Sequence, residues 1–176
     1  MSKTKKTILI IFLILISPVI LFVDIIIVSI IDELTITQKD VEKYGKKMQP
    51  KSGIVFPADT TFVNGHWVKY CIFQERDAGW RYTSKDPFQL PEKVDVIIEE
   101  DDMDEYEDWF GRMFETNITG ATEYKKAEWM KNGFVFSASM LETPERYYLR
   151  LDSHVPRSYE LENPKEYGLP RNIDAN

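Results

Sequence analysis

A long apolar stretch near the N-terminus, residues 7–31, constrains this chain more than any other feature. A helix of roughly 20 apolar residues crosses the hydrocarbon core of a bilayer, where its backbone must satisfy its own hydrogen bonds. We therefore predict one transmembrane helix, kinked at Pro18. The stretch exceeds the apolar region of about 7–15 residues that is typical of a cleaved signal peptide, and no A-x-A-like site follows it. These features indicate a retained signal anchor.

Charges on either side of this stretch predict its orientation. Three lysines lie within the first six residues, whereas Asp32 and Glu33 follow the stretch. Basic residues favour the cytoplasmic side, so the N-terminus is predicted to be cytoplasmic. Lysines between residues 39 and 51 argue the other way, but long domains translocate largely regardless of charge. The expected protein is a single-pass inner (plasma) membrane protein with a periplasmic or extracellular C-terminal domain.

Asp24 is an unusual residue for a membrane span. An acid at the centre of a span costs at least about 2.5 kcal/mol, which suggests a polar contact with another membrane helix. Alternatively, the span ends near residue 23 and Asp24 lies at the interface, where an acid costs little. We favour the interfacial reading.

Composition limits the partners of the remaining chain. The formal net charge is −7, and the acidic excess lies beyond the apolar stretch. An acidic domain is a poor candidate for binding nucleic acid or anionic lipid, so we expect a basic protein partner. The single cysteine, Cys71, excludes a disulfide within the chain. The fold must therefore depend on packing.

Two Asn-Gly pairs predict β-hairpins, because Asn-Gly supplies the positive φ angles of a type I′ turn. The first pair, at 64–65, is predicted to join strands at 60–63 and 66–73. The second, at 132–133, is predicted to place Trp129 opposite Phe136 and Ala127 opposite Ala138. A further strand is predicted at 94–98, and a last one around 147–151.

The clearest helix of the soluble part is predicted from Asp102 to about Glu115, with Asp102 and Glu105 in capping-box spacing. Its apolar residues fall on one stripe: Met103, Tyr106, Trp109, Phe110, Met113 and Phe114. The fold class is α+β, with a twisted antiparallel sheet covered on one face by this single amphipathic helix. The predicted organisation is a cytoplasmic tail and anchor (1–31), a juxtamembrane tether (32–52), the α+β domain (53–155) and a Pro-containing tail (156–176).

A dense acidic run at 99–108 is the main candidate for partner binding, since eight of its ten residues are acidic. It would attract and orient a basic partner. The alternative is a solvated helix start whose acids complement the positive helix N-terminus. A calcium site has little support, because the spacing D-x-[DN]-x-[DN]-G is absent. Trp80, between Gly79 and Arg81, is predicted to be exposed and to join the partner site. The candidate residues are Glu99, Glu100, Asp101, Asp102, Asp104, Glu105, Asp108 and Trp80.

Motifs of catalysis and cofactor binding are missing from the sequence. His66 and His154 are the only histidines, and no nucleophile signature accompanies them or Cys71. No cluster has metal-ligand spacing and no phosphate loop occurs. We therefore expect no enzymatic activity, no metal and no cofactor. The expected function is that of a membrane-anchored, envelope-facing protein-binding module, such as an inhibitor, an immunity protein or an accessory subunit of an envelope complex. The alternative is a small-ligand or lipid-binding domain with a helix–sheet pocket.

Overall fold

The computed structural model describes residues 36–69 and 76–156, and also positions 17, 18, 20, 22–24, 27 and 162. Most of the predicted anchor and of the predicted C-terminal tail therefore lies outside the described residues. Pro18 and Asp24 are described, and both are helical and exposed. Among the described residues, no helix has the length and apolar character that a bilayer crossing requires.

Between residues 36 and 156, leaving out 70–75, two helices and six strands follow one another. They are α1 (Gln38–Ser52), β1 (Thr61–Lys69), β2 (Arg76–Ser84), β3 (Val96–Glu99), α2 (Met103–Phe114), β4 (Glu123–Lys131), β5 (Phe134–Glu142) and β6 (Tyr147–His154). The strands form one sheet in the order β1-β2-β6-β5-β4-β3, and every neighbouring pair is antiparallel. The predicted α+β class with an antiparallel sheet is confirmed.

The two helices lie on opposite faces of the sheet. Helix α1 covers the face of Trp80 and Trp129, whose indole Nε1–H groups donate to backbone carbonyls of the helix at 3.0 and 2.8 Å. Helix α2 covers the face of Tyr124, which lies five residues before Trp129 on β4 and so points the other way. The prediction of a single covering helix is therefore wrong.

Helix α1 lies within the segment that we predicted to be a tether, and it packs on the sheet in one compact unit. Thr37 and Asp40 form a capping box at its start, and Gly53 ends it in the left-handed conformation with φ 81°. Val41 and Met48 are buried beneath the helix at a spacing of two turns. Lysines occupy much of the exposed side, which hides this short apolar stripe in the sequence.

The two Asn-Gly pairs have different structures. Asn132 and Gly133 have φ 52° and 74°, and the hairpin they close pairs Trp129 with Phe136 and Ala127 with Ala138, as predicted. The predicted turn at 64–65 is wrong, because both residues lie inside β1 and neither adopts a positive φ. The extended conformation is held by α1, where the Gln38 amide bonds both the N–H and the C=O of Gly65 at 3.1 and 3.0 Å.

Helix α2 forms at the predicted place, but its start differs. Asp102 has φ 55° and makes no side-chain cap hydrogen bond, so the predicted capping box is wrong. Phe110 and Phe114 from the predicted apolar stripe are buried against the sheet. They pack with Ile118, Tyr124 and Leu141 into one cluster. This cluster fixes the helix over β4 and β5.

Candidate functional site

Strand β3 forms one edge of the sheet and exposes apolar side chains on both of its faces. It pairs with β4 alone. Val96, Ile97 and Ile98 are 39%, 57% and 52% exposed. Among the described residues, no backbone hydrogen bond reaches the outer side of this strand. An edge with unpaired N–H and C=O groups is a template on which a further strand can pair.

The acidic run begins at the last residue of this edge strand and continues into α2. The seven acidic candidates therefore lie on one segment that continues β3. We call these acids, together with Val96, Ile97 and Ile98, the β3 edge surface. All seven are exposed: Glu99, Glu100, Asp101, Asp102, Asp104, Glu105 and Asp108.

Two of these acids have partners within the domain. The Tyr106 hydroxyl donates to Glu99, and this bond raises the pKa of Tyr106 to about 12. Asp108 Oδ2 lies 3.1 Å from Arg112 Nη2 in an exposed ion pair. The other five acids form no ion pair among the described residues. Asp104 lies in the first turn of α2, where the helix dipole favours negative charge.

Trp80 does not belong to this surface, and the prediction that it is exposed is wrong. Its side chain is 0% exposed and its Nε1–H donates to the Val41 carbonyl. The residue lies in the middle of β2, and α1 covers it. Its aromatic ring is a core element of the sheet and is unavailable to a partner.

Aromatic side chains fill the space between α2 and the sheet. Phe110 stacks near Phe114 with ring centroids 5.7 Å apart, and the Tyr106 and Tyr124 rings stack at 4.0 Å. Leu141 is fully buried beneath them. This packing closes the space between α2 and strands β4 and β5, whereas the end of α2 borders an open cleft beside β1 and β2.

A polar cluster lies on the α2 side of the sheet where β1, β2 and β6 run side by side. His66 is the neighbour of Gly79, and Gly79 is the neighbour of Asp152. A Cβ on Gly79 would collide with both side chains, so the glycine lets the imidazole and the carboxylate approach each other. Arg150 Nε lies 2.6 Å from Asp152 Oδ2. Burial raises the pKa of Asp152, and Arg150 opposes this rise.

We expect His66 to titrate below its ordinary pKa of 6.5, chiefly because burial lowers the pKa of the imidazole. Arg81 and Arg150 lower it further, whereas Asp152 and Asp77 act in the opposite direction. A depressed pKa in the folded state means that the contribution of His66 to stability is present above 6.5 and is lost as the pH falls through the folded pKa.

Proton NMR of the imidazole Cε1–H across the pH range measures this value, and His66→Gln assigns the resonance. Removing the neighbouring cation in Arg81→Gln should raise the His66 pKa. A His66 pKa above 6.5 in the unmodified protein would contradict this account of the cluster.

Sequence reasoning did not identify the polar cluster as a unit. Its members come from β1, β2 and the distant β6, which becomes the neighbour of β2 only in the folded sheet, and no motif links them. Among the described residues, no group of three or more histidine, cysteine, aspartate or glutamate side chains is arranged to hold a metal ion. Cys71 lies outside the described residues, and His154 is half-buried on β6.

Comparisons of the chain with protein-family models, curated proteins and solved structures gave no match.

Proposed function

We propose that this protein is a non-enzymatic binding module that docks an extended, basic segment of a partner protein along the β3 edge surface. The observation that carries the proposal is the continuity of an open apolar edge strand with a run of exposed acids. A partner strand would hydrogen-bond to the outer side of β3 and extend the sheet.

The side chains of β3 support an extended occupant. Val96 and Ile98 point to one face of the sheet and Ile97 to the other, so a docked strand meets apolar surface on both faces. Backbone hydrogen bonds would supply affinity, and the alternating side chains would supply specificity. The acids that follow would steer a basic segment toward the strand and fix its direction.

The opposite edge of the sheet is protected, which makes the exposure of β3 informative. At β1, the side-chain amide of Gln38 occupies both hydrogen-bonding groups of Gly65. A register shift between Phe62 and Asn64 further disturbs that edge. Bulges and covering groups are the usual devices that prevent unwanted strand pairing. Among the described strands, β3 lacks such a covering group and is the edge suited to a partner.

The anchor predicted at 7–31 gives this module its proposed place at the membrane. We propose that it holds the domain on the periplasmic or extracellular side, so that the partner is another protein of the envelope. An inhibitor, an immunity protein or an accessory subunit would work by occupancy alone. That role requires a docking surface and no catalytic residue.

Peptide binding to the full chain in detergent tests the proposal. The probe is an octapeptide of alternating valine and lysine, and its valine–glutamate counterpart is the charge control. We expect Ile97→Lys to weaken binding of the basic peptide roughly ten-fold, because it places a cation on the strand that receives the peptide. Val63→Lys changes an exposed apolar position on β1, the opposite edge strand, and should leave binding unchanged.

Neutralising the unpaired acids should reduce both the affinity for the basic peptide and its dependence on salt. The variant carries Glu100→Gln, Asp101→Asn, Asp102→Asn, Asp104→Asn and Glu105→Gln. Equal binding of the basic and acidic peptides, or full binding by Ile97→Lys, would refute the proposal. The other possible occupant of β3 is a second copy of the chain. Sedimentation of the same variants tests for it, since a dimer that Ile97→Lys dissociates would replace the partner protein in this proposal.

A further inference from the structure

A polar cleft lies near the β1 edge of the sheet, remote from β3. It has a volume of about 440 Å³ and opens between the start of α1, strand β1 and the end of α2. Arg81 rises into it from β2, while Trp109 and Met113 of α2 form an apolar wall. The cleft and strand β3 lie at opposite edges of the sheet, because β1 and β3 are its two outer strands. Arg112 of the cleft wall pairs with Asp108 of the β3 edge surface.

Arg81 is the cation of this cleft that forms no ion pair among the described residues. Burial lowers the pKa of its guanidinium, and the more distant Asp152 and Glu115 oppose this shift in part. Arg81 Nη1 donates to the neutral amide oxygen of Asn64 at 2.6 Å, and its buried Nε has no hydrogen-bond partner. Among the described residues, no carboxylate lies within ion-pair distance of Arg81. The nearby Asp152 is already paired with Arg150.

The other arginines near the cleft are already compensated. Arg112 is paired with Asp108, and the Arg150 guanidinium lies 5.5 Å from the centre of the Trp109 ring. Arg150 Nη1 also contacts the Met113 sulfur at 3.6 Å. Arg81 alone among the three therefore offers a guanidinium without a direct ion pair to a ligand.

A half-buried guanidinium without a direct ion pair is electrostatically unfavourable, since it has lost hydration without gaining a hydrogen-bonded counter-ion. The planar fork of arginine matches a carboxylate, to which it donates two parallel hydrogen bonds. Glu115 lies in the wall of the same cleft and repels a dianion about twice as strongly as a monoanion. This wall favours a monoanion over a dianion such as phosphate.

We propose that the cleft binds a small-molecule monocarboxylate with an apolar body, whose carboxylate pairs with Arg81 and whose body packs on Trp109 and Met113. The carboxylate supplies the acceptors that Asn64 alone does not provide. The side chains of α2 provide the apolar contact, which is why an aromatic acid fits better than acetate.

Benzoate, acetate and inorganic phosphate are the probes, each titrated into the full chain in detergent. The readout is the indole Nε1–H resonance of Trp109 in a nitrogen–proton correlation spectrum, assigned with Trp109→Phe. We expect a saturable shift with benzoate, a weaker effect with acetate and none with phosphate at the same concentrations. Arg81→Gln should weaken benzoate binding roughly ten-fold, whereas Lys47→Gln, which removes an exposed cation that does not line the cleft, should leave it nearly unchanged.

Two further variants keep the test decisive. If Arg81→Gln fails to fold, Arg81→Lys retains the charge without the fork and should still bind benzoate several-fold more weakly. Glu115→Gln should strengthen benzoate binding modestly and phosphate binding more, because it removes a charge that repels both anions. The proposal is overturned by the absence of a saturable shift with benzoate, by phosphate binding as tightly as benzoate, or by unchanged benzoate affinity in the folded Arg81 variant.

Discussion

Replacing Trp80 by alanine is expected to lower the free energy of unfolding by about 3–5 kcal/mol. The side chain is fully buried between α1 and the sheet, where its ring lies 5.7 Å from that of Tyr44. Its indole N–H donates to the Val41 carbonyl at 3.0 Å. The substitution removes this bond and leaves a cavity that the rigid sheet cannot close. Equilibrium unfolding of the full chain in denaturant, followed by far-UV circular dichroism, measures the loss.

The same substitution at Trp109 is the matched control, because that tryptophan is only half-buried. Trp109→Ala should cost clearly less, since a half-exposed ring leaves no closed cavity. Trp80→Phe keeps most of the ring volume and removes the hydrogen bond, so its cost should fall between the two. If Trp80→Ala cost no more than Trp109→Ala, the packing of α1 on β2 described above would be wrong.

Local signals in the sequence predicted elements well when the conformation depended on neighbouring residues alone. The pair Asn132-Gly133 forms its turn because both residues accept a positive φ and the flanking strands agree in register. The same dipeptide at 64–65 is extended, because the Gln38 side chain and the β2 strand supply other hydrogen bonds for it. A contact with a residue 27 positions away is invisible to a local motif.

The packing of α1 on the sheet is also difficult to predict from local sequence. Val41 and Met48 form too small a stripe to predict burial of the helix, and lysines surround them. What buries the helix is the opposing surface of Trp80 and Trp129, which is assembled only when the strand order is known. The sequence predicts a tether at 32–52 that is separate from the domain, whereas packing joins α1 to the domain.

The candidate sites also combine features that are visible in the sequence with features that depend on the fold. The acidic residues from Glu99 to Asp108 were evident in the sequence, since charge density needs no knowledge of the fold. That they continue an open sheet edge follows from the place of β3 at the end of the strand order. Whether Arg81 finds an ion-pair partner depends on which side chains β1 and β6 bring beside β2, and no sequence spacing predicts this.

Gly45→Ala should destabilise the domain by about 1–3 kcal/mol, although alanine is the better helix former by about 1 kcal/mol. The glycine lies where α1 touches the sheet, and a Cβ there would lie 2.5 Å from the Tyr82 hydroxyl oxygen and 2.7 Å from Trp80 Cδ1. Both neighbours are buried, so neither can move aside cheaply.

Lys47→Ala, at an exposed position of the same helix, should change stability by less than about 0.5 kcal/mol. Adding Tyr82→Phe to Gly45→Ala removes one colliding atom and should recover part of the loss, which a double-mutant cycle measures. A stabilising effect of Gly45→Ala would contradict the close approach of α1 to the sheet. Helix propensity alone would make the alanine stabilising, and it would dominate only if the helix surface at residue 45 were open.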